Sequence, residues 1–154
     1  MNLEISVEHD EWNKNFTNFY FVHKCVNAVF EEVQLSGDDG EICFLFTSDE
    51  EIRLLNRTYR AKDAPTNVLS FPAVFDKDDE YRIFGSIALA FETIDRESRE
   101  QEKSFSDHLN HLIVHGVLHL LGYDHVNEEE ADQMEALEVK ILRNLGIKNP
   151  YMQE

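Results

Sequence analysis

Basic residues are scarce in this sequence. Fourteen lysines and arginines stand against 31 aspartates and glutamates, and the formal net charge is −17. A field of that sign repels polyanions at long range, which excludes a protein that coats nucleic acid indiscriminately. Cysteine is scarcer still: Cys25 and Cys43 are too few for a disulfide framework, so a reducing compartment is expected. Long apolar runs are missing, since none approaches the roughly 18 residues of a membrane span. The first stretch, MNLEISVEHDEW, has neither the basic nor the apolar region of a secretory signal. A soluble, cytoplasmic protein without a membrane partner is expected. No repeat, low-complexity tract or linker is visible, so residues 1–154 read as one domain.

A core is present. Hydrophobic residues make up 42% of the chain and phenylalanine occurs eleven times, enough for a globular fold at this length. LEISVEH alternates as a half-buried strand does. Apolar residues from Trp12 to Val33 recur at helical spacing, which predicts one helix there. EICFLFT (41–47) reads as a buried strand after the turn SGDDG (36–40). Ser48 and Glu51 form a capping box opening a helix to about Arg60, with Ile52, Leu55 and Tyr59 facing inward. TNVLSF lies between Pro65 and Pro72 and suits an edge strand. FDKDDEYR (75–82) reads as a polar loop, FGSIALA (84–90) as a strand, and Glu92 to Glu100 as a helix. Ser106 or Asp107 is expected to cap the next helix, which Gly122 ends. Asn127 and Glu130 open a last helix whose apolar face is Ala131, Met134, Leu137, Ile141, Leu142 and Leu145. The pattern predicts an α+β fold: a small mixed sheet of about four strands covered by helices.

The charge is not evenly spread. Residues 51–72 hold four basic side chains (Arg53, Arg57, Arg60 and Lys62) against Glu51 and Asp63, an island of +2 in an acidic chain. Arg53, Arg57 and Arg60 share one stripe of their helix. A solvated helix face would look the same, but any polyanion contact belongs there.

His108, His111, His115 and His119 lie near one stripe of the following helix. His111 and His119 are eight residues apart, about 12 Å along the axis at 1.5 Å per residue, too far to share an ion. A metal must take His111 with His115, or His115 with His119. Gly122 selects the second pair, because a glycine past the helix end adopts the left-handed conformation and returns His125 toward His119. Three imidazoles then converge with a fourth coordination position open, as a catalytic zinc site requires. His108 and His111 are not expected to be ligands. The spacing H-x-x-x-H-x-x-G-x-x-H is that of the metzincin proteases, which carry Glu after the first histidine as general base. Gly116 stands there instead, and a peptidase loses its proton acceptor.

HGVLHLLGYDH (115–125), together with LNRTYRAKDAPTNVLSFP (55–72), resembles the YbeY family of bacterial endoribonucleases that mature rRNA. The resemblance runs on through FGSIALA and EEEADQMEALE. It implies metal ligation by His115, His119 and His125, places the family's arginine at Arg60, and lays its PT[DN]VLSFP strand on Pro65 to Pro72 with Asn67 as the Asn variant. It implies cleavage of single-stranded RNA, processing of the 16S rRNA 3′ end and quality control of 70S ribosomes. It also implies a small-subunit ribosomal protein and an Era-type GTPase as partners. On that view Arg60 and His115 carry the catalysis, Arg57 and Arg60 meet the nucleic acid, and one zinc (or, in vitro, nickel) is bound per chain. RNA brings its own 2′-OH nucleophile, so a carboxylate base is less necessary than in peptide hydrolysis. Asp124 either orients a histidine or bonds the backbone of its turn. A non-catalytic assembly factor with a structural zinc and a metallohydrolase of another substrate are the alternatives.

Overall fold

Each expected strand forms, and the sheet is mixed. The computed structural model describes residues 1–38, 40–73 and 81–152. β1 (Asn2–Val7), β2 (Gly40–Thr47), β3 (Val68–Pro72) and β4 (Arg82–Ala90) stand in the order β1-β2-β4-β3. β1 and β4 run parallel to β2, whereas β3 pairs antiparallel with β4 and forms an outer edge. The α+β class is therefore the one the pattern predicts. The polar loop read over 75–82 lies outside the described residues as far as position 80.

Helices cover both faces. α1 (Asp10–Asn15), α2 (Tyr20–Glu32), α3 (Asp49–Arg60), α4 (Phe91–Glu100), α5 (Phe105–Leu120) and α6 (Glu128–Asn144) complete the described chain. Ile42, Phe44, Ile87 and Leu89 bury against Val22 and Val26 of α2 and Leu109, Ile113 and Val117 of α5. Successive strand residues face opposite sides. Leu69, Ala88 and Ala90 therefore meet Ile52 of α3 on the other face. α3 and α4 are locked at their starts, where Asp49 Oδ1 accepts from the Thr93 N–H at 3.0 Å and the Thr93 hydroxyl at 2.7 Å. Cys25 and Cys43 are unpaired, and Cys25 is buried. Among the described residues no helix is long and apolar enough to cross a membrane.

Three local readings need correction. The single helix expected over 12–33 is two, because Phe16 takes an extended conformation (φ −134°, ψ 127°) and breaks the run. The break lets Phe16, Phe19 and Phe21 gather around Trp12 and Phe46, so tertiary packing overrides the periodicity. The cap of α5 is Ser104, whose Oγ accepts from the Asp107 N–H at 3.1 Å. Ser106 and Asp107 lie inside the first turn, and Phe105 enters the aromatic cluster. Finally, Tyr59 is 65% exposed although it shares the helix face of Ile52. The last turn of α3 lies over the edge strand, where Tyr59 meets the Phe71 ring, 5.5 Å away.

Candidate metal centre

α5 brings the first two histidines together. His115 and His119 stand one turn apart, with their Nε2 atoms 3.1 Å from each other. The helix then closes on its own carbonyls: the Tyr123 N–H donates to Leu118 C=O at 3.1 Å and the Gly122 N–H to His119 C=O at 3.0 Å. This pairing is a Schellman motif, with its left-handed residue at Gly122 (φ +99°). The reversed chain carries His125 back, so that its ring lies 5.2 Å from that of His119 and 5.8 Å from that of His115. One nitrogen from each of the three rings can be chosen so that all lie within 4.8 Å of one another. Asp124 serves the turn: its Oδ1 accepts from the His125 N–H at 2.7 Å. The same oxygen is 3.6 Å from His125 Nδ1, too long to orient the ring.

A side chain at Gly122 meets no neighbour, so space is not the constraint there. Backbone conformation is. Gly122→Val should leave the core intact yet cost metal content, because a β-branched residue resists the left-handed region and His125 is displaced. Elemental analysis of the folded variant checks this, and full metal occupancy would count against the turn.

Behind the cluster lies a residue that the histidine spacing does not reveal. Glu138 of α6 is completely buried, and its Oε1 sits 2.6 Å from His115 Nδ1 and 3.3 Å from His111 Nε2. The Tyr151 hydroxyl donates to its Oε2. Burial pushes the Glu138 carboxyl up, but the hydrogen bonds of His111, His115 and Tyr151 outweigh it and hold the group at about 2. An ionised carboxylate on Nδ1 fixes the tautomer of His115 and turns Nε2 toward His119, the arrangement in which a histidine ligates metal through one nitrogen and is oriented through the other. The signal was in the sequence: Glu138 falls four residues after Met134 and three before Ile141, a carboxylate on an apolar stripe. Glu138→Gln, which keeps the shape but not the charge, is expected to weaken metal affinity about 10- to 100-fold. Competition against a chelator measures it, and an unchanged affinity would remove Glu138 from the site.

The donor set suits a cation. Burial, then the neighbouring imidazoles of His115 and His125, lower the proton affinity of His119, against a weaker pull from Asp124 and the Tyr123 backbone. Two ring nitrogens facing each other at 3.1 Å cannot both carry protons without repulsion. With Nδ1 of His115 protonated toward Glu138, its Nε2 presents a lone pair that can accept the His119 proton or ligate a cation. His108 and His111 lie elsewhere on the helix: His111 joins the Glu138 network, and buried His108 meets Glu97 at 3.0 Å. Asn67 also donates to Glu97, at 2.9 Å, which ties the start of β3 to α4.

Gly116 has a packing reason. A Cβ there would meet Ile87 and the Ser70 hydroxyl at 3.2 Å, so a side chain at this crossing would require Ile87 or Ser70 to give way by a few tenths of an ångström. The position that holds a carboxylate in metzincins is here filled by the sheet. At the same crossing, the Ser70 hydroxyl donates to Gly116 C=O at 3.2 Å.

Arg60 reaches the same strand from the other side. In β3 the bonds from the Ala90 N–H to Asn67 C=O and from the Ala73 N–H to Phe84 C=O place the odd residues' backbone groups toward β4. The carbonyl of Ser70 therefore points off the free edge. Arg60 Nη2 donates to it at 2.6 Å, and the guanidinium lies 5.2 Å from the Phe71 ring centroid. Helix α3 ends just beyond, with Ala61 in the left-handed region at φ +57°. The three stripe arginines are thus unlike. Arg53 is committed to Asp63 at 2.8 and 3.2 Å, whereas Arg60 has no carboxylate partner among the described residues. Arg57 feels Asp63 only at longer range.

A mixed sheet crossed by a histidine helix, with three imidazoles able to hold a metal ion, defines a class of small α+β domain with a candidate metal centre. The comparisons narrow it. The sequence model described as Endoribonuclease YbeY matches residues 4–146. Endoribonuclease YbeY of Bradyrhizobium sp. (strain BTAi1) is 44% identical over 153 residues, covering 96% of this chain and 90% of that protein. The protein of the same name from Agrobacterium fabrum is 43% identical over 159 residues, covering 98% and 95% of the two chains. The chain belongs to the YbeY endoribonuclease family. The fold is also similar to the solution structure of TM1509 from Thermotoga maritima, with a TM-score of 0.58 at 23% identity over 98% of this chain and 99% of that one.

Proposed function

We propose that residues 1–154 act as one cytoplasmic domain, a metal-dependent endoribonuclease specific for single strands. Its role is maturation of the 16S rRNA 3′ end and late quality control of 70S ribosomes. The observation that carries this reading is the convergence of three imidazole nitrogens within 4.8 Å. Zinc, one ion per chain, is the metal that three imidazoles fit, with nickel admissible in vitro. Once bound, it supplies Lewis-acid stabilisation to a phosphoryl oxygen. His115, His119 and His125 would hold it, and Glu138 keeps His115 in the tautomer that ligation needs.

The chain's own residues do the rest. Arg60, fixed through one nitrogen to Ser70, keeps other N–H groups for a non-bridging phosphate oxygen. Arg57 adds attraction for the backbone. The nucleophile is the RNA's own 2′-OH or a water, so the carboxylate missing at position 116 is not an obstacle. A peptidase, by contrast, would need that base, and Gly116 faces Ile87 and Ser70.

A net charge of −17 favours delivery to rRNA by protein partners, for which a small-subunit ribosomal protein and an Era-type GTPase are the candidates. The test is mapping of 16S rRNA 3′ ends in cells lacking the protein. Wild type should restore the mature end and His119→Ala should leave the precursor. Restoration by His119→Ala would favour a non-catalytic assembly factor.

A further inference from the structure

Tyr59 is a large aromatic side chain left 65% exposed at the end of a helix. Its ring meets Phe71 edge-on at 5.5 Å, and Phe71 in turn carries the Arg60 guanidinium 5.2 Å from its centroid. One strand residue thus props two adjacent side chains of α3, an aromatic ring and a cation. All three stand at the free edge of β3, and Ser70, beside Phe71, bonds the α5 backbone at Gly116, next to His115. This is also the basic island of an otherwise acidic chain, with Arg57 and Lys62 close by in sequence.

An exposed ring braced by a second ring, beside a guanidinium with no carboxylate partner among the described residues, fits an unpaired nucleobase next to its phosphate. Every base has a π-face, and single-strand sites combine such platforms with basic side chains. A base within a duplex is already stacked and has no free face to offer. We infer that Tyr59, supported by Phe71, is a stacking site for the nucleobase adjoining the phosphate held by Arg60. Tyr59 is thereby a determinant of single-strand specificity. This inference rests on the RNA-cleaving function proposed above, but its test does not require cleavage.

A short single-stranded RNA carrying one 2-aminopurine serves as the probe, with the full-length protein kept in chelator so that no metal-dependent cleavage intervenes. Wild type should quench the fluorophore on binding. Tyr59→Ala should lose the quench and bind about tenfold more weakly, within the range of one stacked base. Tyr59→Phe should behave as wild type. Tyr59→Leu, which keeps an apolar contact to Phe71, should resemble Tyr59→Ala. The loss should persist at raised salt, unlike that of Arg57→Ala, because stacking is not screened. Preference for the single strand over its duplex should narrow in Tyr59→Ala. Equal quenching and affinity in wild type and Tyr59→Ala would overturn the inference, as would equivalence of Tyr59→Leu and Tyr59→Phe. If wild type binds and stacks the probe yet never cleaves RNA with zinc restored, the stacking site stands and the endoribonuclease reading fails.

Discussion

Alanine at His115, His119 or His125 should each reduce the protein to well below one metal per chain, and RNA cleavage should fall about 10³-fold or more. Lewis-acid stabilisation of a phosphoryl oxygen is worth several kcal/mol. Each ~1.4 kcal/mol is tenfold in rate, so losing the ion costs at least that order. The three substitutions remove nitrogens that lie within 4.8 Å of one another, and no fourth histidine is in that group. His111→Ala is the informative control. Its ring touches Glu138, so affinity falls somewhat, but a ligand is not lost and stoichiometric metal should remain. Elemental analysis and cleavage of a single-stranded RNA, before and after chelation and zinc addition, give both readouts. Loss of metal in His111→Ala with retention in His125→Ala would reverse the ligand assignment and undo the argument from Gly122.

Features governed by neighbours in the chain were legible. Ser48 and Asn127 cap α3 and α6 as their spacing predicts, accepting from the Glu51 and Glu130 N–H groups. Gly122 ends α5 in the left-handed region because few other residues can. The break at Phe16 was not legible, since apolar residues three apart fit one helix as well as two. What separates the cases is an aromatic cluster assembled from distant segments. Tyr59 shows a subtler limit. The spacing to Ile52 places it on the stripe expected to face inward, yet it is 65% exposed, because burial depends on what packs over that stripe and no local rule gives that. Glu138 is the instructive omission. Its partners His111, His115 and Tyr151 come from α5 and the segment after α6, so only the folded chain shows that a carboxylate on an apolar stripe is paired. Gly116 is similar: its absent side chain reads as a lost base in the sequence and as a close helix–sheet crossing in three dimensions.

Arg60→Ala should keep the fold and the metal yet lower RNA cleavage about 10²-fold or more, the scale of losing one donor that stabilises developing negative charge. The geometry distinguishes this arginine from its neighbours. Its guanidinium is anchored to the Ser70 carbonyl at 2.6 Å and laid near Phe71, so little side-chain freedom remains to be lost when a phosphate arrives. Arg53 is already bound to Asp63 through two nitrogens, and its replacement should change cleavage little. Arg57 stands between them: with no close carboxylate partner among the described residues, it should contribute screened attraction that fades as salt rises. Arg60→Lys should recover only part of the loss, because an ammonium cannot both hold the Ser70 carbonyl and offer a planar pair of donors to the phosphate. A merely attractive stripe predicts something else. Each of Arg53→Ala, Arg57→Ala and Arg60→Ala would then cost a similar small factor, and all three costs would shrink together at high salt. Measuring kcat and KM for the three variants at two salt concentrations separates the cases: a salt-resistant fall in kcat confined to Arg60 supports a role in the transition state, and equal, salt-sensitive rises in KM would sink it.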